Sequence, residues 1–269
     1  MFGLADGTVR ECALLDLTID FGIKLWPRVF PTLRFENLPI VAAYDLAVDD
    51  FLHIRTVNDV EQRVEVDSVC RREVAYIVDP IDGTAPYAHH IPTWGISIAR
   101  MERGRITDGA VYLPITDELF ITDGKDVRYG PLEGDLEIIE PQDARVPTEK
   151  RTESGMIAVT QGIVKGQGMT VRNPIQALGC AVLPLCYLLL DRYIGYVAKV
   201  KLWDVAGVLP MLEREGFTCR LMDGTAIGTK VDDSIYLFTG EENDLWKIRD
   251  RMVCAASEDI VDYIIKSIR

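Results

Sequence analysis

Five apolar residues, Val74-Ala75-Tyr76-Ile77-Val78, run straight into Asp79-Pro80-Ile81-Asp82-Gly83-Thr84. The run is β-branched and aromatic with no polar alternation, which predicts a strand buried on both faces. Such a strand must lie inside a layered structure, and it stops in two carboxylates, a proline, a glycine and a hydroxyl. The carboxylates are three residues apart in a turn, close enough to face one point. Gly83 and Thr84 then open the next segment with free backbone N–H groups, which favour an anion. Carboxylates take hard cations such as Mg²⁺, and N–H groups take phosphate oxygens. Together they describe a metal-assisted phosphate site. Asp-Pro and Asp-Gly are also ordinary turn formers; the placement after a buried strand is what weighs toward a site.

The bulk properties fit that reading. A chain of 269 residues is long enough for one large domain or two medium ones. Hydrophobic content of 48% and charged content of 26% are those of a globular enzyme rather than a disordered chain. A formal net charge of −13 argues against a nucleic-acid backbone as partner but not against a small phosphorylated substrate, because a bound cation inverts the local sign. Cys12, Cys70, Cys180, Cys186, Cys219 and Cys254 show no CxxC pair and no zinc-ligand spacing, so they read as reduced thiols of a cytoplasmic protein. No signal peptide opens the sequence, and its longest apolar stretch, residues 177–190, is too short to span a bilayer, so no membrane partner is expected.

Taken in order, residues 14–30 predict an amphipathic helix and residues 39–43 a short strand. Residues 44–73 form a polar, acidic excursion. Strands at 94–99, 109–113 and 118–122 make an antiparallel meander, with Asp123-Gly124-Lys125 as a hairpin turn. Residues 131–154, rich in charge and proline, are the expected linker between an N-terminal α+β domain (1–140) and a C-terminal α/β domain (155–269). In the second half the expectations are a strand at 156–160, a helix at 174–190 and a strand at 193–200. A helix with Asp204 as N-cap should then run to Glu215 and stop at Gly216, with Pro210 awkward inside it. Strands at 218–222 and 234–238 and two C-terminal helices follow. Alternating helices and mixed sheets in two halves give a layered αβαβα sandwich of α+β or α/β class.

The second motif is Trp203-Asp204-Val205-Ala206-Gly207, where Asp204 reads as a plain helix cap when taken alone. Paired with Asp79-Pro80-Ile81-Asp82-Gly83-Thr84, it closely resembles the two signatures of the inositol monophosphatase-like family of Mg²⁺-dependent, lithium-sensitive phosphatases. Between them the likeness continues through His90-Ile91-Pro92-Thr93-Trp94-Gly95-Ile96-Ser97-Ile98-Ala99, Gly109-Ala110-Val111-Tyr112-Leu113-Pro114 and Glu118-Leu119-Phe120. It covers residues 39 to about 252. The resemblance implies that Asp79 bridges two metal ions, Ile81 lends its carbonyl to the first, and Asp82 and Asp204 complete the second. It implies that Gly83 and Thr84 hold the substrate phosphate, the Thr84 hydroxyl positioning a water activated by metal. Two cations about 3.5–4 Å apart would stabilise both attacking and leaving oxygens, so no Ser, Cys or His nucleophile is required. His89 and His90 are then structural. A homodimer is compatible with the resemblance.

The chain departs from the family at several places. A metal-binding glutamate is usual after the strand at 39–43, where this sequence has Ala43 and Tyr44; Asp45, Glu61 and Glu65 are the candidate replacements. On the resemblance, the family's opening helix, ahead of the segment resembling Asp6-Gly7-Thr8, is expected to be absent. Gly179-Cys180-Ala181 falls where a Gly-Ser/Thr-Ala touches the polyol, so these three residues are the expected substrate contacts, together with Gly83, Thr84 and Asp204. Val197 or Ala198 aligns with a glutamate that holds inositol hydroxyls. Lys199, Lys201 and Arg172 lie nearby and hint at a more anionic substrate, or are merely solvated cations. Two readings result. One is a Mg²⁺-dependent phosphomonoesterase of a small phosphorylated metabolite, such as inositol monophosphate, another sugar or polyol phosphate, a fructose bisphosphate, or a nucleotide 3′-phosphate such as adenosine bisphosphate. The other is a catalytically weakened member acting in binding or assembly. Intact Asp79, Asp82, Thr84 and Asp204 weigh toward the enzyme.

Overall fold

The apolar runs become the strands of two sheets, described by a computed structural model over residues 40–42, 70–140, 151–166, 168–241 and 244–268. The first sheet has seven strands in chain order: β1 (Ile40–Ala42), β2 (Ala75–Asp82), β3 (Gly95–Glu102), β4 (Arg105–Leu113), β5 (Glu118–Asp123), β6 (Asp126–Gly130) and β7 (Glu137–Ile138). β1 runs parallel to β2, and from β2 onward the sheet is an antiparallel meander. The short helix α1 (Thr84–Ala88) follows β2, and α2 (Arg151–Ser154) precedes the second sheet.

The second sheet contains β8 (Ile157–Val159), β9 (Ile175–Gln176), β10 (Gly195–Ala198), β11 (Thr218–Leu221) and β12 (Met252–Ala255), in the order β11-β12-β10-β8-β9. β8, β9 and β10 are parallel, and β12 is antiparallel to both its neighbours. Helices α3 (Gln161–Gly166), α4 (Val182–Leu189), α5 (Leu202–Ala206), α6 (Leu209–Arg214) and α7 (Glu258–Ser267) complete the described elements.

Side-chain alternation assigns the layers. Ile77, Ala99, Val111 and Phe120 from the first sheet, Leu185 and Leu188 from α4, Val205 and Leu209 from α5 and α6, and Tyr196, Ala198 and Cys254 from the second sheet share one core. The opposite face of the second sheet, with Ile157, Val197 and Val253, packs on Val261 and Ile264 of α7. The molecule is therefore a layered α+β structure with helices between two sheets and α7 outside the second. The leading helix expected at residues 14–30 and the excursion with Asp45, Glu61 and Glu65 lie outside the described residues. Among the described residues no helix is long and apolar enough to cross a membrane.

Several elements differ from expectation. The helix expected over 174–190 begins only at Val182, because residues 175–176 join the sheet as β9 and Gly179 takes a φ of 74°. Pro184 sits in the first turn of α4, where a missing N–H leaves no bond unmade. The helix expected from Asp204 to Glu215 is two helices, and Pro210 opens the second, the position proline favours. Asp204 is not the N-cap of α5; Lys201 is. Residues 234–238 form turns and one bridge, Tyr236 to Ile248, and Met252–Ala255 is a central strand rather than part of a helix. Cys219 and Cys254 are disulfide-bonded, against the expectation of reduced thiols. They stand directly opposite each other on β11 and β12, a neighbourhood their 35-residue separation conceals.

Candidate metal centre

In a regular strand, residues three apart face opposite sides of the sheet. Asp79 and Asp82 escape this rule because the ladder shifts between them: Asp79 pairs with Ser97 and Asp82 with Gly95, three residues against two. This bulge at Pro80, a residue with no N–H to contribute to a ladder, turns both carboxylates toward the same side. The Ile81 N–H donates to Asp79 Oδ1 (3.1 Å), and the Thr84 hydroxyl donates to the Ile81 carbonyl (3.1 Å), which closes the turn.

The third carboxylate arrives from the other half of the chain. Gly207 lies so close to β3 and β4 that a Cβ there would overlap Ser97 Oγ, and a Cβ on Gly109 would overlap the Gly207 carbonyl. Two facing glycines thus let α5 dock directly on the first sheet. Asp204, in the third position of that helix, accepts the Lys201 N–H at 2.8 Å through Oδ2. Among the described residues, Asp79, Asp82 and Asp204 each place a carboxylate oxygen within 4.8 Å of the others. Asp79 and Asp82 are buried and Asp204 is half-buried.

Gly179-Cys180-Ala181 sits beside the carboxylates rather than apart from them. Asp82 Oδ2 accepts the Cys180 thiol (3.0 Å) and the N–H groups of Ala181 (2.6 Å) and Val182 (2.6 Å), so this carboxylate caps α4. Gly83 makes the approach feasible: its φ is 92°, and a Cβ would lie 3.0 Å from Cys180 Cβ and 2.7 Å from the Thr93 carbonyl. Burial raises the Asp82 pKa, against the lowering effect of the Cys180, Val182, Ala181 and Gly83 donors. Burial, and next to it the Asp82 charge, pushes the Cys180 thiol well above its ordinary value, so it keeps its proton and donates. Three carboxylates converging with two of them buried form a donor set that suits a hard divalent cation.

The remaining expected residues are scattered. Asp45 lies outside the described residues. His89 bonds the Ala85 carbonyl through Nδ1, and both His89 and His90 are exposed. Val197 faces α7, whereas Ala198 lies on the inner face of β10 and offers no acceptor. Lys199 is exposed, the Lys201 ammonium lies 4.8 Å above the Trp203 ring, and Arg172 sits at 3.9 Å from Glu153. Sequence reading missed Val182 as a donor to Asp82, a backbone N–H that carries no side-chain signal.

The profile of the inositol monophosphatase family matches residues 46–267. Nus factor SuhB of Pasteurella multocida is 30% identical over 167 residues, covering 56% of this chain and 58% of the relative. Inositol-1-monophosphatase of Mesorhizobium japonicum is 30% identical over 156 residues, covering 55% of this chain and 57% of the relative. The chain spans less than two thirds of the length of these curated relatives. A crystal structure of an IMPase/NADP phosphatase complexed with Mg²⁺ and phosphate superposes with a TM-score of 0.55 at 14% identity, covering 92% of this chain and 78% of that one, a likeness of fold. Matched by that profile over most of its length, the chain belongs to the inositol monophosphatase family.

Proposed function

We propose that the chain is a Mg²⁺-dependent phosphomonoesterase of a small phosphorylated metabolite, inositol monophosphate or a related sugar or polyol phosphate. The convergence of Asp79, Asp82 and Asp204 within 4.8 Å carries this reading. Asp79, Asp82, Asp204 and the Ile81 carbonyl would hold the cation. Bound there, Mg²⁺ supplies Lewis acidity toward a phosphoryl oxygen and lowers the pKa of water. The Thr84 hydroxyl proton is engaged with the Ile81 carbonyl, so its oxygen lone pairs are the part that can accept a hydrogen bond from the attacking water and orient it. The Thr84 N–H is the proposed phosphate donor, the Gly83 N–H being engaged with Asp82, with the Gly179-Cys180-Ala181 segment along one wall.

A second reading, a binding or assembly protein with weakened catalysis, draws on β1. Its last registered pair is Ala42 with Val78, immediately before Asp79, and the residues that follow in sequence are Ala43 and Tyr44, which carry no carboxylate. Phosphate release from a panel of sugar, polyol and nucleotide phosphates, with Mg²⁺ titrated, separates the two. The enzyme reading expects turnover that rises with Mg²⁺ and falls at least about 100-fold in Asp79→Asn and Asp204→Asn, since loss of even an outer partner of a metal ligand costs 10–100-fold. Absence of release from every substrate at millimolar Mg²⁺ would leave the assembly reading.

A further inference from the structure

The disulfide joining Cys219 to Cys254 borders a cavity of about 310 Å³ between α6 and the outer edge of the second sheet. Leu209 and Ile227 contribute to its apolar lining, and Glu213, Arg220 and Glu258 supply its charges. Cys219 lines this cavity and Cys254 does not. Strand order explains the difference. β11 is the edge strand, so Cys254 on β12 lies on the inward side of Cys219. Residues 226–228 pass along the outward side, where the Ile227 N–H donates to the Cys219 carbonyl (2.8 Å). Cys219 keeps 6% of its surface exposed and Cys254 none.

Thiol–disulfide exchange needs a thiolate that approaches one sulfur from the side opposite the sulfur that leaves, and it is governed by access. Here that approach runs from the cavity to Cys219, with Cys254 leaving into the core. The lining charges select among thiols. Arg220 is matched by Glu258 and lies 3.8 Å from Asp262. Glu213 bonds a neutral group, accepting the Thr229 hydroxyl through Oε2 (2.9 Å); Arg105, which donates to the same hydroxyl, does not line the cavity. Two carboxylates against one guanidinium favour an entering ammonium and oppose an entering carboxylate.

We propose that Cys219 is a modification site, opened through this cavity by a small thiol that carries an ammonium group. The entering thiolate sulfur bonds to Cys219 Sγ, the Cys219–Cys254 bond breaks, and its electron pair leaves on Cys254 Sγ. The proton that the thiol gave up returns through solvent to Cys254. A mixed disulfide on Cys219 and a free Cys254 thiol result, with no other oxidant or reductant consumed.

The experiment incubates the full chain anaerobically with cysteamine or with 3-mercaptopropionate, traps free thiols early with N-ethylmaleimide and maps the peptides by mass spectrometry. The mixed disulfide should fall on Cys219 and the maleimide on Cys254, the reverse pattern being at least about 10-fold rarer. Glu213→Gln should slow the reaction with cysteamine roughly threefold to fivefold and speed that with 3-mercaptopropionate, since one unit charge near the entering group is gone. Each thiol is compared with itself, so its intrinsic nucleophilicity cancels. The same reaction in urea, where both sulfurs are open, supplies the unselective reference. An even split between the two cysteines in the native protein overturns the site. So does a native disulfide that stays intact under conditions that open it in urea. Equal rates in wild type and Glu213→Gln overturn the ammonium-bearing class. Free thiols at both positions in the untreated protein would end the inference and leave the metal centre untouched.

Discussion

A methyl group added at Gly109 would overlap the backbone carbonyl of Gly207, an atom that cannot move without moving α5. Gly109→Ala should therefore act at a distance. Overpacking of this kind costs about 1–3 kcal/mol of stability, and Asp204 should be displaced from Asp79 and Asp82. Denaturant unfolding together with Mn²⁺ titration checks this; wild-type affinity in the folded variant would show that α5 can dock without the glycine pair. At this scale Asp79 and Asp82 stood out because carboxylates closing a buried strand are conspicuous, whereas Asp204, a plain cap when taken alone, stood out only when paired with them. Cys180 was expected as a substrate contact, but its bond to Asp82 was not foreseen, because the two are 98 residues apart and nothing local announces a thiol that donates to a carboxylate.

Between elements, Glu118 joins the first sheet to the helical layer. Its carboxylate accepts from Arg192 Nη2 (2.6 Å), the Tyr187 hydroxyl (2.9 Å) and Thr116 Oγ1 (2.7 Å), and the Arg192 guanidinium lies 4.3 Å over the Tyr187 ring. Burial raises its pKa, but the hydrogen bonds from Arg192, Thr116 and Tyr187 outweigh that, so the net shift is downward from 4.5. Folding thus favours the ionised form: the contribution is present above that ordinary value and is lost as pH falls through the lowered one. Glu118→Gln should flatten the loss of unfolding free energy between about pH 5 and pH 3, measured by urea denaturation; identical acid limbs for both proteins would refute it. The strands legible in advance were β1 to β5, β8, β10 and β11, each carried by a short apolar or alternating run. The split between α5 and α6 was not, because one amphipathic pattern continues across both helices and Pro210 suits a helix start as well as it spoils a helix interior. β12 was missed because Met252-Val253-Cys254-Ala255 is apolar throughout, and periodicity cannot tell such a run from a helix.

Across the whole molecule, three carboxylates from two halves of the chain meet within a protein of net charge −13, so cation binding should couple to global stability. At 100 times its dissociation constant a cation bound to the native state alone adds about 2.7 kcal/mol. For a protein of this size that is on the order of 5–10 °C in Tm. Mg²⁺ should produce such a rise, a chelator should reverse it, and Asp204→Asn should abolish it; an unchanged Tm at millimolar Mg²⁺ would count against the centre. The helix caps alter how the family signatures should be read. Asp82 caps α4, Asp204 closes the first turn of α5, Asp79 holds the Ile81 N–H, and Thr84 holds the Ile81 carbonyl. Selection for folding alone would preserve all four. A lineage could abandon turnover and still transmit both motifs unaltered, so the motifs record descent. Cation affinity, which the fold does not require, is the trait that would fade first in a retired enzyme.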